Sequence, residues 1–194
     1  MCTAKEKMLN GEFYNAWDET LVEDRDRAKS LLFEFNQINP AEREKRLEAL
    51  KKLIPDLGDN PWIESPFNCD YGTNLMIGDH FYANTNCTIL DCAKVTIRNH
   101  VLIGPNVGFY TPNHAYDAQE RIDGWEKSLP ITIGDAVWIG GSVTVLGGVS
   151  IGKNSIIGAG SVVTKSIPDN VIAAGNPCRV LREITEADRI NLTQ

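Results

Sequence analysis

The sequence predicts a mainly β protein, in which six-residue repeats build a triangular parallel β-helix after a helical N-terminal segment and before a short C-terminal helix. Two observations predict this fold: aliphatic residues recur every six positions, and glycine or another small residue follows most of them. The first register holds Ile133, Ile139, Val145, Ile151, Ile157 and Val163. A second register, four places later, holds Val137, Val143, Val149, Ser155, Ser161 and Ile167.

A six-residue period fits neither an α-helix nor a simple alternating strand. In a helix, residues six apart would lie about 120° away from one another around the axis. Six extended residues instead span roughly 20 Å, so three such segments with a bend between them bring the chain back to its start. Aliphatic residues one coil apart then stack inside a prism. We therefore expect the β-helix to occupy residues 61–182.

The same six-residue step is visible earlier in the chain. Aliphatic or small residues keep it at Ile77, Ala83, Ile89 and Val95, and after a two-residue slip it restarts at Ile97 and Ile103. The repeat is then interrupted between Phe109 and Pro130, a stretch that contains His114 and has no six-residue phase. We expect this excursion to leave the prism, and long loops on rigid repeats often carry function.

Residues 1–60 are predicted to form three short helices. Three start signals place an oxygen before a glutamate in the first turn: Thr3 before Glu6, Thr20 before Glu23, and Asn39-Pro40 before Glu42. Two of the helices carry an apolar stripe, formed by Leu21, Leu31, Leu32 and Phe35 and by Leu47, Leu50 and Ile54.

The repeat ends at the segment Gly175 to Arg179, and the remaining residues 183–194 form a helix or tail. Thr185 and Asp188 provide a start signal for this terminal helix.

Composition excludes several classes of protein. A chain of 194 residues with 42% hydrophobic residues and a mean hydropathy of -0.23 is neither disordered nor collagen-like, nor integral to a membrane. Its 19 basic and 26 acidic residues give a net charge of -7, the wrong sign for a general nucleic-acid binder. Between residues 153 and 182, however, Lys153, Lys165, Arg179 and Arg182 outnumber Asp169. This local excess suits a phosphate-bearing ligand.

The cysteines and the amino terminus indicate the cellular compartment of the protein. Five cysteines without a CxxC pair predict neither a disulfide framework nor a zinc knuckle, which fits a reducing compartment. The amino terminus lacks the apolar stretch of a secretory signal, and no run reaches about 18 apolar residues. These features predict a cytoplasmic protein.

At this point the sequence resembles the maltose and galactoside O-acetyltransferases, which are left-handed β-helix acyltransferases. The residues that carry the resemblance are the helical start, Phe81 to Asn84, the His114 loop, Ile131 to Asp135, Val137 to Gly140, Gly158 to Ser161, and Ala173 to Arg182. The resemblance implies acetyl-CoA as donor, a sugar hydroxyl as acceptor and no required metal. It also implies a homotrimer with active sites between neighbouring subunits.

Acetyl transfer to a hydroxyl needs a general base and a donor to the oxyanion. Imidazole suits the first task, because its unperturbed pKa is about 6.5. His80 and His100 occupy the fourth place of a hexad, where side chains point to solvent, so we assign the base to His114 in the excursion. Glu126 lies at the far end of the same excursion. It is either the group that fixes the tautomer of His114 or a solvated loop acid.

The resemblance assigns the acceptor side to four residues. Asn84 falls in the family's acceptor-binding motif, although a β-helix corner in the left-handed conformation would also explain an asparagine there. Asp70 and Asp91 lie at family positions that bind the acceptor sugar, and carboxylates accept hydrogen bonds from sugar hydroxyls. Near the amino terminus, Ala16 together with Asp18 replaces an acid of the family.

The resemblance also implies the donor side. Trp138 and the amides of Gly140 and Gly141 stand where the family holds the thioester and the pantetheine arm, and a glycine amide there can stabilise the oxyanion. The remaining positions that the family places around the donor are Ala159, Thr164, Lys165, Arg179 and Arg182. Lysine and arginine among them supply charge for the phosphates.

Two other classes of protein share this fold. Stacked imidazoles of His80 and His100, with His114 as third ligand, would make a zinc enzyme of the γ-carbonic-anhydrase type. A non-catalytic trimeric binding protein is the other alternative, since a fold does not establish chemistry. Within the acyltransferases, serine or amino-sugar nucleotide acceptors remain open, and the helical start argues against both.

Overall fold

A computed structural model describes residues 2–190. The helices are α1 (Ala4–Leu9), α2 (Glu19–Gln37), α3 (Arg43–Leu53) and α4 (Ala118–Ile122), and a 3₁₀ turn follows at Glu186–Asp188. In chain order the strands are β1 (Phe13–Asn15), β2 (Asp56–Leu57), β3 (Trp62–Ile63), β4 (Phe67–Cys69), β5 (Leu75–Ile77), β6 (Tyr82–Ala83), β7 (Cys87–Leu90), β8 (Val95–Ile97), β9 (Leu102–Ile103), β10 (Gly108–Tyr110), β11 (Pro112–His114), β12 (Trp125–Ser128), β13 (Ile131–Ile133), β14 (Trp138–Ile139), β15 (Thr144–Leu146), β16 (Ser150–Ile151), β17 (Ile156–Ile157), β18 (Val162–Val163), β19 (Val171–Ala174) and β20 (Arg179–Glu183).

Three sheets form the faces of a prism, and the chain visits them in turn. The first face stacks β2, β5, β8, β13 and β16, and the second stacks β3, β6, β9, β14, β17 and β19 with β20 at its end. The third face stacks β4, β7, β10, β15 and β18. Pairing between successive coils is parallel throughout, which confirms the predicted β-helix.

The two registers of small and aliphatic residues fill the interior as predicted. Every member of both registers is buried, from Ile133 to Val163 and from Val137 to Ile167. The earlier positions Ile77, Ala83, Ile89, Val95, Ile97 and Ile103 are buried as well. Cys87 shares this interior, and burial raises the pKa of its thiol to about 12. The core therefore follows directly from the period of six.

Coil length changes along the prism. Tyr82 pairs with Leu102, 20 residues later, whereas Trp138 pairs with Ile156 after 18 and Ile156 with Ile172 after 16. The extra residues of the early coils lie at the corners, so the strands stay in register. The slip that the sequence places between Val95 and Ile97 lies instead in the preceding corner, residues 91–94, because Val95 and Ile97 are both buried residues of the same strand, β8.

The N-terminal helices pack against one end of the prism. α2 contributes buried Leu21, Ala28, Leu32 and Phe35, and α3 contributes Arg46, Ala49, Leu50 and Leu53. Arg46 is buried because its guanidinium lies over the Phe35 ring and donates to the Ile63 carbonyl at 2.6 Å. The predicted capping of α1 by Thr3 is confirmed.

Two predicted helix starts are wrong by a few residues. α2 begins at Glu19 because Asp18, and not Thr20, is its N-cap; the Asp18 carboxylate accepts from the Thr20 amide at 3.1 Å. α3 begins only at Arg43, since the Asn39 side chain closes a turn onto the Ala41 amide at 3.0 Å. In addition β2, the first strand of the prism, precedes the expected boundary at residue 61.

The excursion is shorter than predicted, because Phe109 belongs to the prism. Phe109 pairs with Ile89 and Val145 and is fully buried, six residues after Ile103. The Leu129 amide donates to the Thr111 carbonyl at 3.0 Å and closes the neck. Residues 112–128 therefore form the excursion, in which β11 and β12 make a hairpin and β1 adds a third antiparallel strand.

The C-terminal part differs from the predicted helix. β20 turns back as an antiparallel partner of β19, and the residues after it contain one 3₁₀ turn, Glu186–Asp188, with Thr185 as N-cap. The last four residues of the predicted tail, 191–194, lie outside the described residues. Among residues 2–190, none of the helices has the length and apolar character needed to cross a membrane.

Candidate active site

Most of the predicted site residues lie on two different edges of the prism. The exceptions are Asp18 at the start of α2, Trp138 on β14, and Arg179 and Arg182 on β20. The second edge joins the second face to the third and contains residues 84–86, 104–107, 140–143 and 158–161. The third edge joins the third face to the first and contains residues 70–74, 91–94, the excursion, and residues 164–166. About six extended residues, or roughly 20 Å, separate one edge from the next.

His114 and Glu126 meet across the hairpin of the excursion. They are cross-strand partners in the pairing of β11 with β12, so their side chains share a face. Nδ1 of His114 lies 3.3 Å from Oε1 of Glu126. The imidazole is 63% exposed and the carboxylate only 16%, so the second ring nitrogen remains accessible. This geometry favours the interpretation of Glu126 as a partner of His114 over that of a solvated acid.

A buried tyrosine, which the sequence did not indicate, continues this pair. Tyr14 is paired with Glu126 in the register of β1 with β12, and its hydroxyl donates to Oε2 of Glu126 at 2.9 Å. The Ser128 hydroxyl lies 2.9 Å from the same phenol oxygen. Burial raises the pKa of Tyr14 far above its usual value, so the phenol stays protonated. Three strands thus align Tyr14, Glu126 and His114 in one row.

Asp70 lies near this row of side chains, and Cys92 connects the two. The Cys92 thiol donates to Oδ2 of Asp70 at 3.4 Å, and Cys92 packs with Tyr14 and Tyr71 in a small apolar cluster. Burial is the largest cause that raises the pKa of Asp70, and the negative charge of Glu126 adds to it. The structure therefore brings the predicted acceptor-binding carboxylate close enough to Glu126, the partner of the predicted base, for their charges to interact.

Asp91 has a different environment from Asp70. It has no exposed surface in the chain, and its Oδ1 accepts from the amides of Asp70 and Tyr71 at 3.0 and 2.8 Å. Its Oδ2 accepts from the Asn74 amide at 3.3 Å. Burial raises the pKa of Asp91 to about 6, against the effect of these amides. The contacts are those of an anchor for the 70–74 turn, which carries Asp70, rather than of a group that touches a sugar.

Asp18 is occupied as the N-cap of α2. Its carboxylate accepts from the Thr20 amide and hydroxyl, the latter at 2.6 Å, and these bonds lower its pKa. Position 16 is closer to the cluster, because Ala16 packs with Tyr14, Tyr71 and Cys92. Asp18 therefore does not replace an acid at position 16 in this chain.

The second edge brings together Asn84, Gly140 and Gly141. Asn84 and Gly140 take equivalent places in their coils, since the Asn84 amide donates to the Ile103 carbonyl and the Gly140 amide to the Ile157 carbonyl. Asn84 does not adopt the left-handed conformation that the corner alternative requires; its neighbour Asn86 does, with φ of 61°. Oδ1 of Asn84 accepts from the Thr85 amide at 2.8 Å. This bond leaves the Nδ2 group as the part that can donate to a ligand.

Gly141 presents a free amide at this edge. Within residues 2–190 its N–H donates to no other group, whereas the amides on either side donate to Ile157 and Pro105. A Cβ on Gly140 would lie 2.7 Å from the Ala159 amide nitrogen, so only glycine allows the coils to stack here. An unpaired, half-buried N–H at a rigid corner is suited to stabilise an oxyanion.

Outward side chains on the second face connect this corner with β20. Trp138, which is 52% exposed, pairs with Ile156, Ile156 with Ile172, and Ile172 with Arg182. Three strand spacings of about 4.8 Å place Arg182 roughly 14 Å from Trp138. The row therefore offers an apolar track that ends in a cation.

The excess of positive charge that the sequence predicts for Lys153, Lys165, Arg179 and Arg182 is smaller in the structure. Arg182 forms a bidentate pair with Asp188, with both bonds at 2.7 Å, and the carboxylate pKa is lowered as a result. Arg179 donates to the Cys178 carbonyl at 2.8 Å. Thr164 and Lys165 lie exposed on the third edge, away from β20. The structure therefore does not gather the four donor-side residues in one place within a single chain.

His80 and His100 stack as the zinc alternative predicted. Their ring centroids are 4.8 Å apart with an interplanar angle of 8°, at the corner between the first and second faces. Both residues are exposed and adopt the left-handed conformation. In the part of the chain that the structure describes, His, Cys, Asp and Glu form no group of three that could hold a metal ion.

Comparisons with known proteins agree with the fold. Residues 7–58 match the maltose acetyltransferase hexapeptide capping motif, and residues 130–165 match the bacterial transferase hexapeptide family. The chain is 48% identical over 184 residues to galactoside O-acetyltransferase of Escherichia coli, covering 95% of this chain and 91% of that protein.

Two solved structures are similar along nearly the whole length. A maltose O-acetyltransferase from Clostridium difficile superposes with a TM-score of 0.92 at 48% identity, covering 95% of this chain and 98% of the other. A galactoside acetyltransferase in complex with coenzyme A superposes with a TM-score of 0.93 at 46% identity, covering 99% and 96%.

Proposed function

The chain belongs to the maltose and galactoside O-acetyltransferase family, and on this basis we propose that it transfers the acetyl group of acetyl-CoA to a hydroxyl of a sugar. The observation that carries the proposal is the row of Tyr14, Glu126 and His114 beside Asp70. Such a row supplies a base with a fixed orientation next to a carboxylate that can accept from sugar hydroxyls.

The acetyl group passes directly from donor to acceptor within a ternary complex, without an acetylated enzyme. The hydroxyl of the acceptor loses its proton to the exposed nitrogen of His114 while its oxygen attacks the thioester carbonyl. The Gly141 amide stabilises the oxyanion that forms. When the C–S bond breaks, the imidazolium returns its proton to the sulfur of coenzyme A. Buried cysteines take no part, because burial raises the pKa of Cys87 and Cys92.

The donor fits the second face and its edge. Trp138 and the apolar row below it suit the pantetheine arm, Gly140, Gly141 and Ala159 border the thioester, and Arg182 supplies charge for a phosphate. To bind that phosphate, the Arg182 guanidinium must release the Asp188 carboxylate. Arg179 of the same chain, with Thr164 and Lys165 on the third edge of a neighbouring subunit, holds the remaining nucleotide end.

A complete site needs more than one subunit. His114, Glu126 and Asp70 lie at the third edge, whereas Asn84 and Gly141 lie at the second edge, one face away. If a neighbouring subunit applies its second edge to the third edge of this one, the groups meet, and Asn84 can steer the hydroxyl. A closed homotrimer satisfies this arrangement three times.

An acceptor screen tests the proposed function. Purified protein is mixed with acetyl-CoA and individual sugars, and the release of free thiol is followed. We expect release that depends on a glucose-, galactose- or maltose-like acceptor, without an acetylated enzyme when the acceptor is left out. Release that is equal for serine and the sugars, or that is absent with every sugar, would contradict the proposal.

The nucleotide end can be tested by removing two cations. In Lys165→Ala with Arg182→Ala, KM for acetyl-CoA should rise about 10-fold and kcat should change less than about threefold, because contacts with the phosphates persist through the reaction. Lys51→Ala with Arg98→Ala removes the same charge at two exposed positions outside that group of cations and is the matched control. An unchanged KM in the first pair would show that these residues do not hold the nucleotide.

A further inference from the structure

The N-terminal strand β1 contributes a side chain, Tyr14, that contacts the partner of the proposed base. β1 is only three residues long, yet it is the outer strand of the sheet that carries His114, and it pairs with β12 from Phe13 to Asn15. Of these residues, only Tyr14 is fully buried, and its side chain shares a face with Glu126. The N-terminal segment is therefore more than a cover for the end of the prism.

The hydrogen bonds in this row can all be assigned a donor and an acceptor. Glu126 is an acceptor at both oxygens: Oε2 takes the Tyr14 hydroxyl at 2.9 Å, and Oε1 faces Nδ1 of His114 at 3.3 Å. Since Tyr14 has one proton and gives it to Glu126, the Ser128 hydroxyl must donate to the phenol oxygen at 2.9 Å. Every donor in the row then points toward Glu126.

We propose that Tyr14 is a positioning residue for the reaction, which fixes the Glu126 carboxylate so that His114 keeps its proton on Nδ1 and offers Nε2 to the acceptor. A carboxylate on a two-strand hairpin could otherwise rotate about its terminal torsion, which is broad and roughly two-fold. The Tyr14 hydroxyl removes this freedom from one oxygen, and the other then holds the imidazole. Tyr14 touches neither substrate, and it acts only through Glu126.

Burial explains why a tyrosine can do this. Tyr14 packs with Met8, Leu21, Tyr71 and Cys92 in an apolar cluster that is separate from the prism core. In such surroundings the pKa of Tyr14 is raised by burial, so the phenol keeps its proton and its hydroxyl acts as a donor to Glu126. The ring position is set by helices α1 and α2 on one side and by β12 on the other, so the hydroxyl is placed by rigid elements.

Removal of the hydroxyl alone tests the inference, which rests on the proposed function. In Tyr14→Phe we expect kcat to fall about 10-fold, because a hydrogen bond to a charged group is lost, while KM for acetyl-CoA changes less than about twofold. Tyr71→Phe is the matched control. Tyr71 is equally buried in the same cluster and its hydroxyl accepts from Arg25 at 2.7 Å, so it should lose stability with kcat within about twofold.

A double-mutant cycle separates positioning from a general loss of structure. If Tyr14 acts through Glu126, then Tyr14→Phe in a Glu126→Ala background should change kcat by less than about twofold. An equal loss in both backgrounds, or an unchanged kcat in the single variant, overturns the inference and leaves acetyl transfer by the wild type intact. A wild type that transfers no acetyl group would overturn both proposals.

The tautomer of His114 gives a readout that does not depend on activity. In protein labelled with ¹⁵N at histidine, the imidazole nitrogen shifts should show a proton on Nδ1 of His114 in the wild type and in Tyr71→Phe, at a pH where the ring is neutral. In Tyr14→Phe both tautomers should be populated. A single Nδ1–H tautomer that persists in Tyr14→Phe would contradict the role of Tyr14.

Discussion

His114→Ala is expected to lower kcat by about 10²–10⁴-fold, which is the usual contribution of a general base. No other histidine can take over, because His80 and His100 form a stacked pair at a different corner of the prism. KM for acetyl-CoA should stay within a few-fold, since the donor-side residues lie on other elements. Steady-state kinetics with a sugar acceptor, with thiol release as the readout, measure both quantities.

A matched control for this variant is His100→Ala. It also removes an exposed imidazole, but from the corner between the first and second faces, and it should retain kcat within about twofold. A His114→Ala enzyme with near-normal turnover would overturn the mechanism. A stable acetylated enzyme that passes its acetyl group to the acceptor would do so as well, because it would replace direct transfer by a covalent intermediate.

The prism could be predicted because every coil needs the same types of residue at the same positions. An aliphatic residue every six positions and small residues at the corners are needed in every coil, so the pattern repeats in the sequence itself. Phe109, which is predicted to start the excursion, keeps the phase of the repeat, six residues after Ile103, and pairs with Ile89. Its large ring differs from the small aliphatic residues of the neighbouring coils, and the interior accommodates it.

The site could be predicted only in part, since its contacts join distant parts of the chain. Tyr14 lies 112 residues from Glu126, and a three-residue strand has no pattern that would indicate its partner. The ion pair of Arg182 is another contact that the sequence does not indicate. Within residues 153–182 the cations outnumber Asp169, but the carboxylate that binds the Arg182 guanidinium belongs to Asp188, six residues later. The structure is required to find both kinds of contact, because the sequence does not say which residues meet.

Mixing two inactive variants should restore activity if each site is shared between subunits. His114→Ala removes the base at the third edge, and Gly141→Val places a branched side chain beside the free amide at the second edge. The three atoms nearest to a Cβ on Gly141 belong to Pro105, at 3.2 to 3.4 Å, so we expect this variant to form the prism after a small shift of Pro105. When the two are unfolded together, refolded at equal amounts and assayed, a site is intact wherever His114 of one chain faces Gly141 of the next.

Random assembly leaves one of three sites intact in each mixed trimer and about a quarter of all sites intact in the whole sample, so activity should rise from near zero to roughly a quarter of the wild-type value. Each variant refolded alone provides the baseline, and light scattering must report trimers for both. A sample of the wild type that scatters as a single 21.5 kDa chain at micromolar concentration would contradict the assembly. If the variants form trimers but the mixture stays inactive, His114 and Gly141 must serve the same site from one chain, across the third face that separates them.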